Sequence, residues 1–305
     1  MTRILPATAL VWLFLSTAAT AETGLERFER EIRPQIELQT FTYKSAETLG
    51  DMGFVLNQVV AVMPANPAIG DKESTLRIDK VTVEALDFDR MKNVKDDALP
   101  RFAKLRLEGM SGDEAMFALL DPYGLPRAPI DVVLDYRLDG VSKVFSLNAL
   151  EIGLRGHGRL GLSLVIDGVS DKSSEVAGTR DDGRLRSASL TLDDEGLIAK
   201  LLPAIAKEQG QTADGYVAFA LLSIAAFCEG QGTATLKALD AVASFIGDWQ
   251  APKGILTIGL KPAKTAAMSD LDKVLEPNAL VEIFGLSTFY PGTRDGAAKA
   301  GPAIK

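Results

Sequence analysis

The chain has 305 residues, enough for one large domain or two small ones, and its 47% apolar and 24% charged residues are an ordinary globular balance. A formal net charge of −8 argues against a nucleic-acid backbone or an anionic membrane surface as the main partner. One cysteine, Cys228, excludes an intrachain disulfide; its apolar setting behind Ala225, Ala226 and Phe227 reads as a small buried hydrophobe.

The first 21 residues have the pattern of a secretory signal peptide. Arg3 is the positive start, residues 4–18 are mostly apolar, and Ala19, Thr20 and Ala21 form a small-x-small cleavage site. The apolar run falls short of the roughly 20 residues of a spanning helix. Cleavage before Glu22 and a periplasmic location are therefore expected, with no membrane span once the signal is removed.

Residues 22–33 are charged and predict a short helix or a solvated arm, stopped at Pro34. Residues 35–44 read as extended. The valines at 55, 59, 60 and 62 predict a strand. Residues 75–89 predict one long strand with two irregularities, or two short strands. Phe102, Leu105 and Leu107 mark a shorter strand closing at Gly109. Ser111, with Glu114 three residues on, has capping-box spacing for a helix carrying Met116, Phe117, Leu119 and Leu120.

Residues 130–168 carry the clearest pattern. Val132, Leu134, Tyr136 and Leu138 alternate with Asp131, Asp135 and Arg137, the period of a half-buried strand. Phe145 and Leu147 continue the inward set at odd positions, then Leu150, Ile152 and Leu154 at even ones. One extra residue produces that change of parity, so a β-bulge is expected near Ala149. Leu160, Leu162, Leu164 and Ile166 complete a third strand. Residues 169–183, rich in Ser, Asp, Lys and Gly, read as a long exposed hairpin loop or mobile flap. Leu185, Ala188, Leu190 and Leu192 restore the strand pattern.

The period then changes. Asp193, Asp194 and Glu195 are acidic caps for a helix with Leu197, Ile198, Leu201, Leu202 and Ile205 on one face, ended by Gly210. Thr212 or Asp214 starts a second helix, apolar nearly all round over residues 216–228. Thr233 caps a third. Residues 254–261 return to strand, Pro277 sits in the first turn of a short final helix, Gly285 stops it, and residues 286–290 suggest a last strand.

The expected fold is α+β: a large curved, mostly antiparallel sheet of eight to ten strands, with a three-helix block packed on its apolar face. The expected organisation is a signal peptide (1–21), one domain (22–290) and a disordered tail (291–305). Within that domain lie a sheet-rich part (35–193), the helical block (194–248), and a return strand with the final helix (254–290).

No catalytic constellation emerges. His157 lies between Gly156 and Gly158 and reads as an exposed turn residue. One His and one Cys are too few for zinc. Asp96 with Asp97, Asp181 with Asp182, and Asp193, Asp194 with Glu195 read as two loops and a helix cap. No catalytic residue, metal or cofactor is expected, and a carboxylate-based hydrolase stays a remote alternative. The sharper feature is the apolar helix 216–228. It is either buried between sheet and helices, or one side lines a cavity for an acyl chain, with Phe219, Leu222 and Phe227 as ligand-binding candidates.

Two stretches carry a resemblance: Leu76 to Asp89 (LRIDKVTVEALDFD) and Leu190 to Leu197 (LTLDDEGL). Together with the signal pattern they resemble proteobacterial periplasmic proteins of the AsmA/YdgA type, over about residues 75–197. That resemblance implies envelope maintenance or lipid handling and carries over no functional residue. The leading expectation is a non-enzymatic periplasmic protein binding a lipid or other hydrophobic envelope ligand. The alternative is a structural or interaction module docking a protein partner through its sheet.

Overall fold

Alternation of apolar and polar residues makes strand the commonest element of the described chain. A computed structural model describes residues 22–65, 73–92, 97–113, 121–178 and 183–293. The signal pattern with Ala19 and Ala21, residues 114–120 of the capping-box helix, Asp96, Asp181, Asp182 and residues 294–305 lie outside the described residues.

Twelve strands form one open antiparallel sheet among the described residues. They are β1 (Thr40–Thr42), β2 (Ser45–Leu49), β3 (Gly53–Met63), β4 (Ser74–Leu86), β5 (Phe102–Gly112), β6 (Ile130–Asp139), β7 (Val144–Leu154), β8 (Gly158–Asp167), β9 (Arg184–Asp194), β10 (Leu256–Leu260), β11 (Ala266–Ala267) and β12 (Leu286–Phe289). From β3 to β10 each strand pairs with the next in sequence; β1 and β2 share the free side of β3, and β12 closes the row beside β10. Pairing each strand with its sequence neighbour is the favoured topology.

Register assembles one apolar face. Leu105, Leu134, Leu150, Leu162, Leu190 and Ile258 form one cross-strand row, and Leu107, Val132, Ile152, Leu160, Leu192 and Leu256 the next. The opposite face carries rows such as Arg106, Val133, Glu151, Gly161, Thr191 and Thr257. The bulge that the parity change predicts is present. Leu147 pairs Leu164 and Leu150 pairs Leu162, so Asn148 and Ala149 together oppose Ser163. β5 is longer than expected. Gly109 adopts φ +68° and interrupts the pairing with β6 without ending the strand, which places Ser111 in β5.

Helices cover the apolar face at its two ends. At the first end, α1 (Gly24–Arg27) starts with a Thr23–Glu26 capping box, and helical turns continue through Gln35. Phe28 from this segment stacks on Phe54 with ring centres 4.5 Å apart. Leu56, Val59, Ile78, Val83, Leu86 and Phe88, the last from α2 (Phe88–Met91), complete this core.

At the other end lie α3 (Leu197–Glu208), α4 (Ala213–Cys228) and α5 (Thr233–Gly247). The sequence pattern predicts this block over the leucine-rich strands of residues 130–168. The structure places it elsewhere: α5 packs over β10 and β12, and Ala241 and Phe245 share a core with Leu192, Ile198, Leu256, Ile258 and Tyr290. The reason is connectivity. The block is inserted between β9 and β10, which pair with each other, and its connections are short enough to keep it above those strands.

Smaller differences have local causes. The third helix begins at Thr233 with Gly232 as its N-cap. Pro277 precedes Asn278, the left-handed N-cap of α6 (Ala279–Glu282), and so lies outside the first turn. Thr293 is buried and donates to the Tyr290 carbonyl at 2.7 Å, so the folded chain runs past residue 291.

Candidate functional site

Among the described residues, part of the apolar face of β6, β7 and β8 lies uncovered between the two helical covers, beside the buried Leu138 and Leu147. Leu134, Tyr136 and Phe145 are only half-buried, and Ile152 and Leu160 retain 46% and 43% of their free exposure. Antiparallel sheets tolerate one wet face, but here the wet face should be the polar one.

One end of this surface forms a cleft of about 430 Å³, lined by Leu99, Pro100, Leu134, Tyr136, Leu138, Phe145, Leu147, Ile166 and Val169. Its floor is cross-strand pairs: Tyr136 faces Leu147, Leu138 faces Phe145, and Phe145 faces Ile166. The Tyr136 and Phe145 rings lie 5.9 Å apart. The Tyr136 hydroxyl donates weakly to the Pro100 carbonyl at 3.4 Å, and burial raises its pKa, with the Asp87 charge adding to the rise.

The rim is held rather than loose. Leu99 N–H donates to the Asp171 carbonyl at 2.8 Å, Val169 N–H to Lys143 at 3.0 Å, and Ser173 N–H to Asp97 at 2.8 Å. Arg90 donates to the Asp171 carboxylate at 2.8 Å. The Asp97 carboxylate accepts from Ser173 Oγ at 2.6 Å and Ser174 N–H at 2.8 Å, and from Ser174 Oγ. The Ser173 hydroxyl and these further bonds hold its pKa down at about 2. The start of the 169–183 stretch, read from sequence as a loose loop or flap, is thus tied to residues 97–99 by main-chain bonds.

The opposite face is polar. Arg106, Glu108, Asp131, Glu151, Arg155, Arg159, Asp193 and Glu195 contribute to a shallow depression of about 260 Å³. Arg155 forks onto Asp131 with two 2.8 Å bonds, and Asp131 also accepts from Gly109 N–H at 2.7 Å. The Arg155 fork lowers the Asp131 pKa against the opposing effect of burial. The described carboxylates whose pKa is displaced are displaced downward, held ionised mainly by hydrogen bonds and neighbouring cations. Among the described residues, no group of three His, Cys, Asp or Glu is placed to hold a metal ion.

The ligand candidates read from sequence do not join this cleft. Phe219 and Leu222 lie on α4 with exposures of 61% and 68%, and Phe227 is half-buried. Among the described residues, the main packing partners of α4 are α3 and α5. α4 is also not the buried helix that its all-round apolarity predicts; only Val217 is buried. His157 is half-buried rather than exposed. Its carbonyl accepts from Glu195 N–H at 2.9 Å and Leu197 N–H at 3.1 Å, joining the β7–β8 turn to the start of α3. Leu99, Pro100 and Val169 are the cleft residues that sequence reading missed. The signal for its floor was legible in the inward set of Tyr136, Leu138, Phe145 and Ile166.

A family model described as "Uncharacterized protein" matches residues 151–288, from within β7 through β12 and including all three helices of the block. No curated protein matches the chain.

Proposed function

We propose that this chain is a non-enzymatic binding protein of the bacterial cell envelope that holds an acyl chain or similar apolar ligand in the cleft on β6, β7 and β8. The observation that carries the reading is the open apolar floor between two helical covers, walled by Leu99, Pro100 and Val169. Its 430 Å³ falls within the range of about 300–1,000 Å³ for small-molecule sites. An apolar lining with one tyrosine hydroxyl suits a hydrocarbon better than a sugar or nucleotide. The signal pattern of residues 1–21 and the AsmA/YdgA-type resemblance favour an exported protein handling lipid.

Titration with fluorescently labelled palmitate tests the reading. The full chain should bind in the micromolar range, and Leu99→Trp, which fills the cleft from a loop position, should weaken binding at least tenfold, about 1.4 kcal/mol. Absence of saturable binding, or equal affinity in the variant, would count against the cleft. A ligand-free protein that captures a protein partner through Ile152 and Leu160 would favour the docking alternative.

A further inference from the structure

Helix α4 poses a problem that the cleft does not answer. It is 16 residues long, and its one charged side chain, Asp214, is in the first turn. A helix apolar on all sides is ordinarily buried in protein or in membrane. This one is buried in neither α3 nor α5: Phe219 and Leu222 project outward, and Ala218, Ala225 and Ala226 are exposed beside them.

We propose that the outward side of α4 inserts into the hydrocarbon surface of a lipid bilayer, as a shallow anchor rather than a span. Three observations favour a bilayer over another protein. First, the hydroxyl of Ser223 donates back to the Phe219 carbonyl at 2.9 Å, so the polar group in the middle of the helix is satisfied within it. Second, the polar groups gather at the ends. Thr212 and Asp214 precede Tyr216 at the start, and Glu229 follows Cys228. Between those ends the helix carries no charge, so its outward side meets hydrocarbon without burying an ion. Third, the area is too small for a stable protein dimer. One side of the helix offers about 24 Å by 10 Å, well under the roughly 800 Å² that each partner of a stable interface buries.

Length sets the mode of insertion. At about 1.5 Å per residue α4 reaches about 24 Å, less than the roughly 30 Å hydrocarbon core. α3 and α4 together are long and apolar enough for a broken span, but they meet at 88°. That angle, and the packing of α5 on the sheet, leave α4 lying in the interface with the sheet outside the membrane. Charge sets the lipid. A net charge of −8 gains nothing from an anionic surface, so a zwitterionic phosphatidylcholine bilayer suffices.

Vesicles of phosphatidylcholine doped with a photoactivatable phosphatidylcholine test this on the full chain, with the label mapped by peptide mass spectrometry. The expected result is lipid label within residues 213–228. It should fall about 100-fold at sub-saturating lipid in a Phe219→Gln, Leu222→Gln double variant, at about tenfold for each large apolar side chain withdrawn from hydrocarbon. Both side chains are exposed, so the variant should melt as the wild type does. It should also still bind labelled palmitate, which separates this proposal from the cleft. Absence of label in α4, equal label in the double variant, or a wild-type dimer in sedimentation velocity that the double variant abolishes would overturn the proposal; the last result would assign α4 to a second copy.

Discussion

Asp194 is the most informative single residue to perturb. It is 7% exposed, and its Oδ1 accepts three backbone N–H groups: Gly196 at 3.2 Å, Leu197 at 2.7 Å and Ile198 at 3.1 Å. These are the orphan donors of the first turn of α3, which Gly196, an N-cap with no side chain, leaves unserved. Its Oδ2 is buried without a hydrogen-bond partner among the described residues. Two substitutions therefore part company. Asp194→Ala removes the acceptor from all three N–H groups, and a lost cap of about 1 kcal/mol plus partial desolvation of the stranded donors should cost about 2–3 kcal/mol. Asp194→Asn keeps Oδ1 in place and replaces the unpaired oxygen with an amide, so it should cost less than about 1 kcal/mol. Urea unfolding followed by circular dichroism reads both. Equal stability of the alanine variant and wild type, or an asparagine variant as damaged as the alanine one, would refute the capping argument.

Other outcomes follow from the same geometry. Tyr290 is fully buried, accepts from Lys253 N–H at 2.7 Å and donates to Asp248 at 3.0 Å; Tyr290→Phe should cost about 1–3 kcal/mol in thermal unfolding by leaving both partners unserved. Gly285 adopts φ +61° and its absent Cβ would meet the Lys261 carbonyl, so Gly285→Ala should destabilise by about 2 kcal/mol or more and loosen β12 in hydrogen exchange. The Asp97 carboxylate, lowered from 3.8 to about 2 by the Ser173 and Ser174 bonds, is a depressed group. Its contribution is complete above the unfolded pKa and is lost as pH falls through about 2. The Ser174 amide should accordingly stay protected at pH 4 and exchange faster below pH 3.

Strand positions were legible wherever alternation had to hide one face. The parity change between Leu147 and Leu150 located a bulge because one extra residue is the simplest way to keep leucines on one side. Asp194 was legible as a cap, since its chemistry is local. What failed was the placement of covers. An apolar stripe says that a surface needs a partner, not which one, and chain connectivity decided that α5 covers β10 and β12 rather than β6 to β8. Of the two readings of α4, the buried helix fails for the same reason: all-round apolarity says that water is a poor solvent for the helix, not what replaces it. Leu99, Pro100 and Val169 carry no periodic signal, because their role depends on main-chain bonds between two loops distant in sequence.

The central claim is that the floor of β6, β7 and β8, walled by Leu99, Pro100 and Val169, accepts an apolar chain. Cross-linking with a diazirine-bearing palmitate, mapped by peptide mass spectrometry on the full chain, tests it most directly. The account predicts adducts among Leu134, Tyr136, Phe145, Leu147 and Ile166, suppressed by excess unlabelled palmitate. Adducts confined to residues 213–228, or spread without competition over the surface, would contradict it.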